Sequence, residues 1–231
     1  MGSIRNVGVF GDSILKGIQI DDENNRYRVM NNIDFEQISI KHQLLIKNYS
    51  LFGCTVKKGC SMLQKRLENG KSYDIVVIEY GGNDCDFNWK DIADNPYKEH
   101  TPNTPLDVFY RTYRQIIRVL KEKCVIPILT NLPPLEPQKF FNWFCKGLNK
   151  DNVLKWLGAV NSIYRVQETY SRMIEEIAFE TRTHLADIRS AFLEHKQLDA
   201  LLCEDGTHPN SEGQRLITET FLNFKLQEMP A

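Results

Sequence analysis

The chain has 231 residues, of which 42% are hydrophobic and 26% are charged, a composition typical of folded globular proteins that excludes disordered and collagen-like classes. Its 29 Lys and Arg residues and 30 Asp and Glu residues give a net charge of -1. Bulk charge therefore does not favour binding to nucleic acid or to an anionic membrane surface, and the length is sufficient for a core without disulfides or metals.

Short apolar runs that alternate with amphipathic segments predict strands and helices in alternation along the chain. The predicted strands, in chain order, are 7–10, 44–46, 74–80, 125–129 and the weaker 185–188. The predicted helices are 56–67, 108–123, 160–181 and 211–225, the last with Ser211 as its N-cap. This alternation predicts an α/β fold, a three-layer α/β/α sandwich around a parallel sheet, and we expect a single domain over 1–231.

Two stretches, 85–105 and 131–158, interrupt the alternation. Both are rich in proline and aromatic residues, and together they contain all three tryptophans of the chain. Each follows a predicted strand at its carboxyl end, where ligands bind in open α/β sheets. We expect substrate-side insertions here: one interpretation is a lid or an acyl-binding wall, and the other is ordinary packing of long loops.

Four short segments place polar side chains at the same predicted edge of the sheet. Three of them follow the first three strands, and the fourth precedes the last helix. In chain order they are GDSIL at 11–15, NYSLFGCT at 48–55, GGND at 81–84 and DGTHPN at 205–210.

Ser13 is the candidate nucleophile of this set. A serine hydroxyl needs an adjacent base, and His208 is the natural one, with Asp205 three residues earlier on the same loop to accept from the imidazole. That contact would fix the tautomer of His208 and stabilise the imidazolium formed in the reaction. Gly11 would let the backbone bend so that the Ser13 side chain projects into the cleft.

Attack by Ser13 on a carbonyl carbon also builds negative charge on the carbonyl oxygen, so donors must already point at that position. The candidates for this oxyanion hole are the backbone N–H groups of Ser13 and Gly53 and the side-chain amide of Asn83. Each lies at a different strand end, which a parallel sheet brings to one edge.

These residues and their surroundings resemble the SGNH (GDSL-type) serine hydrolases, esterases and lipases named for the Ser, Gly, Asn and His of four blocks. Ser13, Gly53, Asn83 and His208 match these in order, and Asp205 matches the acid of the DxxH block. The segment IEYGGND is similar to the thioesterase I/lysophospholipase L1 branch. The resemblance implies a flavodoxin-like five-stranded parallel sheet of order 2-1-3-4-5. It also implies hydrolysis of esters or thioesters through an acyl-serine, without a metal.

Three further acidic residues lie close to these segments. We expect Asp12 to hold the turn after the first strand through backbone N–H groups, and Asp84 to support the Asn83 loop. Glu79 lies in an otherwise apolar strand, where an unpaired carboxylate is costly, so it is either paired or near the cleft. The sequence leaves both possibilities open.

Other candidate ligands and nucleophiles have simpler interpretations. Four histidines without a carboxylate at a suggestive spacing are expected to be surface or internally satisfied residues: His42, His100, His184 and His195. No ligand cluster accompanies Asp205 and His208, so we expect neither a metal nor a cofactor. Cys54 and Cys85 lie near the predicted oxyanion hole and are expected to be small packing residues.

The six cysteines include no CxxC pair, and residues 1–10 do not form a secretory leader. The sequence therefore predicts reduced thiols and a cytoplasmic location. No apolar run is long enough to span a membrane, and the oligomeric state is left open. A small-molecule ester is the expected partner, with no nucleic acid.

The leading hypothesis is a serine esterase that hydrolyses small or medium acyl esters, with lysophospholipids, acyl thioesters and O-acetylated sugars as further substrate classes. The alternative is a non-catalytic ligand-binding module on the same fold, which has no need of an activated serine. A third interpretation, a phosphate or flavin binder at the Gly11 turn, lacks a glycine-rich phosphate loop. The substrate-binding residues themselves are not identified by the sequence.

Overall fold

A computed structural model describes residues 5–21, 26–30 and 33–226 of the chain. Its strands are β1 (Arg5–Gly11), β2 (Ile18–Asp21), β3 (Arg26–Val29), β4 (Leu44–Asn48), β5 (Ile75–Glu79), β6 (Ile126–Thr130) and β7 (His184–Ala186). Its helices are α1 (Ser13–Lys16), α2 (Phe35–His42), α3 (Val56–Glu68), α4 (Trp89–Asp94), α5 (Leu106–Glu122), α6 (Pro137–Phe144), α7 (Lys150–Leu157), α8 (Ser162–Glu180), α9 (Ile188–Leu193) and α10 (Ser211–Asn223). A 3-10 turn lies at Leu198–Leu201.

Five strands form one parallel sheet in the order β4-β1-β5-β6-β7. Counted along the chain within this sheet, the order is 2-1-3-4-5. The predicted fold class is therefore confirmed. The difference from the expectation is a separate antiparallel hairpin, β2 and β3, between the first two strands of the sheet.

Apolar side chains cover both faces of the sheet, as expected for strands buried on both sides. Val76 and Ile78 of β5 join one core cluster, which α3, α5 and α8 cover. Ile75 and Val77 join the other, which α1, α2, α9 and α10 cover. These two clusters make the three layers of the sandwich.

The edges of two predicted elements were wrong. The predicted strand 185–188 ends at Ala186, because the Asp187 side chain accepts from the Ser190 backbone N–H at 2.9 Å and starts α9 at Ile188. The N-cap of α10 is Asn210 and not Ser211, since the Asn210 side chain accepts from two backbone N–H groups of the first turn.

The two insertions contain helices that were not predicted. The stretch 85–105 holds α4, and 131–158 holds α6 and α7, so neither is a long loop. Each helix has only six to eight residues, too few for an apolar period to stand out. Each starts at a side-chain cap, respectively Asn88, Glu136 and Asn149. Together they form a third apolar cluster beside the sheet.

A buried arginine fixes the second insertion to the sandwich. The Arg189 guanidinium donates to the Leu132 carbonyl oxygen at 3.0 Å and to Gln167 Oε1 at 3.1 Å, and it pairs with Glu168. Its other terminal nitrogen donates to the Tyr164 hydroxyl at 2.7 Å. These contacts join the segment after β6 to α8 and so set the position of the insertion over the cleft.

Candidate active site

The candidate site is a cavity of about 210 Å³ that Ser13, Asn83 and His208 line together. Ser13 follows β1, Asn83 follows β5, and His208 precedes α10. Three segments far apart in sequence therefore meet at the carboxyl edge of the parallel sheet, as expected for this topology. The rest of the lining is mostly apolar and includes Tyr27, Phe87, Trp89, Leu132, Pro133, Leu135, Phe140, Leu157, Ile163 and Val166.

Ser13 is the first residue of the short helix α1 and is largely buried. Asp12 caps this helix, its Oδ1 accepting from the Ile14 backbone N–H at 2.9 Å, which confirms the expected role of Asp12 in the turn. The reason for glycine at position 11 differs from the expectation. Gly11 does not adopt a positive φ, but a Cβ there would lie 2.7 Å from Glu79 Oε2, so a buried carboxyl group occupies the space of a side chain.

The structure brings the predicted nucleophile, base and acid into one chain of contacts. His208 Nε2 lies 2.9 Å from Ser13 Oγ, and His208 Nδ1 lies 2.5 Å from Asp205 Oδ2. Ser13 and His208 are 195 positions apart in the sequence. The imidazole is therefore placed to take a proton from the serine while its other nitrogen is held by the carboxylate.

Asp205 is fully buried, yet its pKa is lowered from the ordinary value. Burial acts to raise this pKa, but the hydrogen bond and charge of His208, together with the backbone N–H groups of Thr207 and His208, outweigh it. Asp205 Oδ1 accepts from both backbone groups, at 3.0 and 3.1 Å. An ionised carboxylate is the form that holds an imidazolium.

Asn83 points its side-chain amide at two oxygens, one on Asp12 and one on Cys54. Its Nδ2 donates to Asp12 Oδ2 at 2.9 Å and to the Cys54 carbonyl oxygen at 3.4 Å. The first bond fixes the amide, whereas the second is long and weak. No signal in the sequence indicated this second contact of Asp12, which links the turn after β1 to the turn after β5.

Gly53 lies between two residues that touch the site. It is exposed and has a φ of +66°, and a Cβ at this position would meet nothing within 4 Å, so only the left-handed backbone favours glycine here. On one side the Phe52 ring stacks on the His208 ring at 6.1 Å, and on the other the Cys54 carbonyl accepts from Asn83. Gly53 is thus in the turn that faces both His208 and Asn83.

Glu79 is both paired and near the cleft, which resolves the question that the sequence left open. Its Oε2 accepts from the Asp12 backbone N–H at 3.0 Å, and its Oε1 has no hydrogen-bond partner among the described residues. Burial, together with the nearby Asp12 carboxylate, raises the pKa of Glu79 well above its ordinary value. Burial also raises the pKa of Asp12, but Asp12 has more donors and faces His208, so we expect the charge of this pair on Asp12 and the proton on Glu79.

We expect Glu79→Gln to become more stable relative to the parent protein as the pH rises. In the unfolded chain Glu79 loses its proton above its ordinary pKa, whereas in the folded chain Glu79 keeps the proton. The free energy of unfolding of the parent protein therefore falls as the pH rises from that ordinary pKa towards the raised pKa of the folded chain. Glutamine has no proton to lose. The difference in urea unfolding free energy should therefore grow between about pH 5 and 7, by at most ~1.4 kcal/mol per pH unit.

Glu68→Gln is the matched control, because it makes the same change of side chain at an exposed position at the end of α3. A constant difference for Glu79→Gln over the same pH range would show that Glu79 is ionised in the folded protein.

Asp84 supports a neighbouring helix and not only its own loop. Both of its carboxylate oxygens accept from the Val56 backbone N–H, at 3.1 and 3.0 Å, at the start of α3. Its own carbonyl oxygen accepts from the Thr104 backbone N–H at 3.0 Å. Burial raises the pKa of Asp84 to about 7. The residue after Asn83 thus ties the Asn83 turn to α3 and to the end of the first insertion.

The aromatic insertions form one wall of the cavity. The ring of Trp89 stacks on that of Phe144 at 3.9 Å, and Phe87 meets Trp156 at 5.0 Å, so the first insertion packs directly on the second. Phe87, Trp89 and Phe140 line the cavity itself. Of the two interpretations of the insertions, a wall of the cavity fits these contacts better than ordinary packing of long loops.

The remaining histidines and cysteines lie outside the cavity lining or have structural roles. His42 and His195 bond to backbone carbonyl oxygens at 3.1 and 3.0 Å, which confirms their interpretation as satisfied residues. His100 bonds to the Asn95 carbonyl oxygen at 3.0 Å and also pairs with Asp91 at 3.3 Å, a carboxylate partner that the sequence spacing did not indicate. His184 is partly buried, and its ring packs edge-on against Phe224 at 6.3 Å. Burial raises the pKa of the Cys54 thiol to about 11 and that of Cys85 well above its ordinary value, so both are neutral thiols in the core.

Two classes of feature are not found in the part of the chain that the structure describes. No group of three or more His, Cys, Asp or Glu side chains is arranged to hold a metal ion there. None of the described helices combines the length and the apolar character that crossing a membrane requires.

Comparison with known proteins places this chain in a family. The GDSL-like lipase/acylhydrolase family matches residues 9–216, and no curated protein sequence matches the chain. A lipase/acylhydrolase from Enterococcus faecalis is 17% identical with a TM-score of 0.65, over 95% of this chain and 94% of that chain. A catalytic mutant of Axe2, an acetylxylan esterase from Geobacillus stearothermophilus, is 21% identical with a TM-score of 0.65, over 97% of each chain.

At such low identities the solved structures show a shared fold, and the family match carries the assignment. It spans all four segments on which the resemblance rested, from the turn after β1 to the His208 loop. The chain belongs to the GDSL-like lipase/acylhydrolase family, a family of ester hydrolases.

Proposed function

We propose that this protein is a serine esterase that hydrolyses carboxylic esters of medium acyl groups through an acyl intermediate on Ser13. The observation that carries the proposal is the pair of contacts at His208, 2.9 Å to Ser13 Oγ and 2.5 Å to Asp205 Oδ2. A serine hydroxyl is a weak nucleophile unless a base lies within hydrogen-bonding reach, and this geometry supplies that base.

In the proposed reaction, Ser13 Oγ forms a bond to the ester carbonyl carbon as His208 Nε2 takes the hydroxyl proton. The tetrahedral intermediate collapses, the alcohol leaves with that proton, and an acyl-serine remains. Water then attacks the acyl carbon, again giving its proton to His208, and the acid is released as the proton returns to Ser13. Asp205 keeps the imidazole oriented and stabilises its charged form throughout.

The oxyanion hole in this proposal consists of the Ser13 and Gly53 backbone N–H groups and the Asn83 amide. Ser13 is the first residue of α1, where backbone N–H groups have no partner within the helix. Asn83 is held by its short bond to Asp12, and the long contact to the Cys54 carbonyl leaves an N–H that can turn to a developing oxyanion.

The apolar lining of the cavity favours an acyl chain over an acetyl group. A cavity of about 150 Å³ is known to hold benzene, which has six carbons. The cavity beside Ser13 has about 210 Å³ and is lined mainly by aromatic and aliphatic side chains. The best fit is therefore an acyl group of roughly six to eight carbons. The acetylxylan esterase among the structural neighbours acts on a smaller acyl group, so the test must include acetate esters.

We expect kcat/KM for p-nitrophenyl esters to reach its maximum at about six to eight acyl carbons, because each buried methylene contributes ~0.8 kcal/mol until the cavity is full. Phe140→Ala removes a ring from the lining and should move the maximum to longer chains. Phe179→Ala is the matched control, since Phe179 is 87% exposed on α8. A maximum at acetate in the parent protein would reject the medium-chain substrate while leaving the serine mechanism intact.

A non-catalytic binding module is the competing function, since the same cavity could hold a ligand without reaction. A binding module does not require a serine within reach of a histidine that a carboxylate orients. Incubation with a fluorophosphonate probe separates the two proposals: an esterase is labelled on Ser13 and loses its turnover of p-nitrophenyl hexanoate, whereas a binding module is not labelled.

A further inference from the structure

Tyr27 reaches the catalytic centre from outside the sandwich. It lies on β3 of the small hairpin, paired with Ile20 of β2, and all four residues of β3 are exposed. Its hydroxyl donates to Asp205 Oδ2 at 3.0 Å, across 178 positions of sequence. Neither the family resemblance nor the sequence patterns indicated a role for this residue.

The oxygen that Tyr27 contacts is the one that holds His208. Asp205 Oδ2 accepts from His208 Nδ1 at 2.5 Å as well as from Tyr27, whereas Asp205 Oδ1 accepts from two backbone N–H groups. The tyrosine and the histidine therefore share one carboxylate oxygen. Burial and the Asp205 carboxylate raise the pKa of Tyr27, so its hydroxyl is a permanent donor in this pair.

The ring of Tyr27 also packs on the imidazole. Its centroid lies 5.0 Å from that of His208, and the Phe52 ring stacks on His208 at 6.1 Å with 9° between the planes. Tyr27 and Phe52 contact each other at 5.3 Å, and Trp143 of α6 lies 6.0 Å from Tyr27. The hairpin, the Gly53 turn and the second insertion thus meet around the imidazole.

We propose that Tyr27 is a positioning residue of the catalytic centre, whose hydroxyl shares the Asp205 carboxylate with His208 and whose ring holds the imidazole beside Phe52. This inference rests on the proposed function, because the role concerns the base of the serine reaction. It extends that function to a residue outside the four sequence segments.

Because Tyr27 and His208 share Asp205 Oδ2, the tyrosine affects how strongly Asp205 holds His208. A donor to Asp205 draws negative charge away from the His208 contact, so the carboxylate holds the imidazole less strongly. Among the described residues, the Asp12 carboxyl on the turn after β1 also faces His208, and Cys203 faces Tyr27. Removal of the Tyr27 hydroxyl leaves both in place and should strengthen the contact between Asp205 and His208.

The test compares Tyr27→Phe with the parent protein. The acid limb of the kcat/KM profile for p-nitrophenyl hexanoate should move to higher pH by about 0.5 unit. The ¹H NMR signal of the His208 Nδ1–H, assigned with His208→Gln, should move downfield, because Asp205 Oδ2 then accepts from one donor fewer. Tyr110→Phe is the matched control, because it removes a tyrosine–carboxylate bond of 2.7 Å, to Glu180, on the exposed surface of α5.

Tyr27→Leu tests the ring separately. It removes the aromatic contact as well as the hydroxyl, so kcat at the pH optimum should fall by roughly tenfold while Tyr27→Phe retains most of it. Equal pH profiles and equal His208 Nδ1–H signals for the parent and Tyr27→Phe would overturn the hydroxyl role, and an unchanged kcat in Tyr27→Leu would overturn the ring role. Absence of ester turnover in the parent would reject the proposed function instead, and the NMR signal would still decide the contact.

Discussion

Ser13→Ala is expected to lower kcat/KM for p-nitrophenyl hexanoate by at least about a thousandfold, the largest effect of any single change in this chain. The alanine variant has no oxygen to form the acyl intermediate, while the cavity and the oxyanion donors remain. His208→Ala should be about as severe, because the Ser13 hydroxyl then has no base at 2.9 Å. Residues that act as a unit are non-additive, so the double variant should lose little more than either single variant.

Initial rates and fluorophosphonate labelling measure this loss. Ser61→Ala and His195→Ala are the matched controls, because both residues are exposed and outside the cavity lining, and both variants should keep parental activity. Circular dichroism should show that all variants are folded, since Ser13 and His208 contribute no large apolar surface. Equal labelling and turnover in the parent and Ser13→Ala would end the serine mechanism. Absence of both labelling and turnover in the parent protein would leave the binding module as the better proposal.

The sheet and the position of Ser13 and Asn83 could be predicted because they depend on local signals. The strand 75–79 is β-branched and continuous, and glycines follow it, so its end and the start of the Asn83 turn are visible in the sequence. Parallel strands then require the segments that follow them to share one edge. The meeting of Ser13 with His208 has no such local signal: the need of a serine for a base and the family resemblance indicated the pairing, but only the fold brings the two side chains together.

The contacts made by Tyr27 could not be predicted from the sequence. Its strand has only four residues, all of them exposed, so the alternation of two arginines with Tyr27 and Val29 is too short to stand out. The hydrogen bond to Asp205 depends on the angle at which the hairpin leaves the sandwich. The short helices of the insertions were missed for a related reason. Helices of six to eight residues are stabilised by their packing against each other, as between Trp89 and Phe144, and not by their own propensity.

Asn83→Ala is the second prediction with a large expected effect, a fall in kcat of about 10²–10³ with little change in KM. The amide is proposed to meet the oxyanion only after Ser13 has attacked, so the bond is stronger in the transition state than in the bound ester. A loss confined to the transition state lowers kcat and kcat/KM together. Asn69→Ala is the matched control, because Asn69 is exposed at the far end of α3.

Asp12 provides the decisive second variant, since its Oδ2 holds the Asn83 amide at 2.9 Å. If Asp12 acts through Asn83, Asp12→Ala should lower kcat in the parent protein but change it far less in the Asn83→Ala background. The decrease in kcat that Asp12→Ala still causes in the Asn83→Ala background measures the loss of the hydrogen bond from the Ile14 backbone N–H to Asp12. That hydrogen bond also fixes the turn that carries Ser13. Full additivity of the two variants in log kcat would show that Asp12 and Asn83 act separately. A defect of Asn83→Ala found only in KM would remove Asn83 from the oxyanion hole and leave it as a contact of the bound ester.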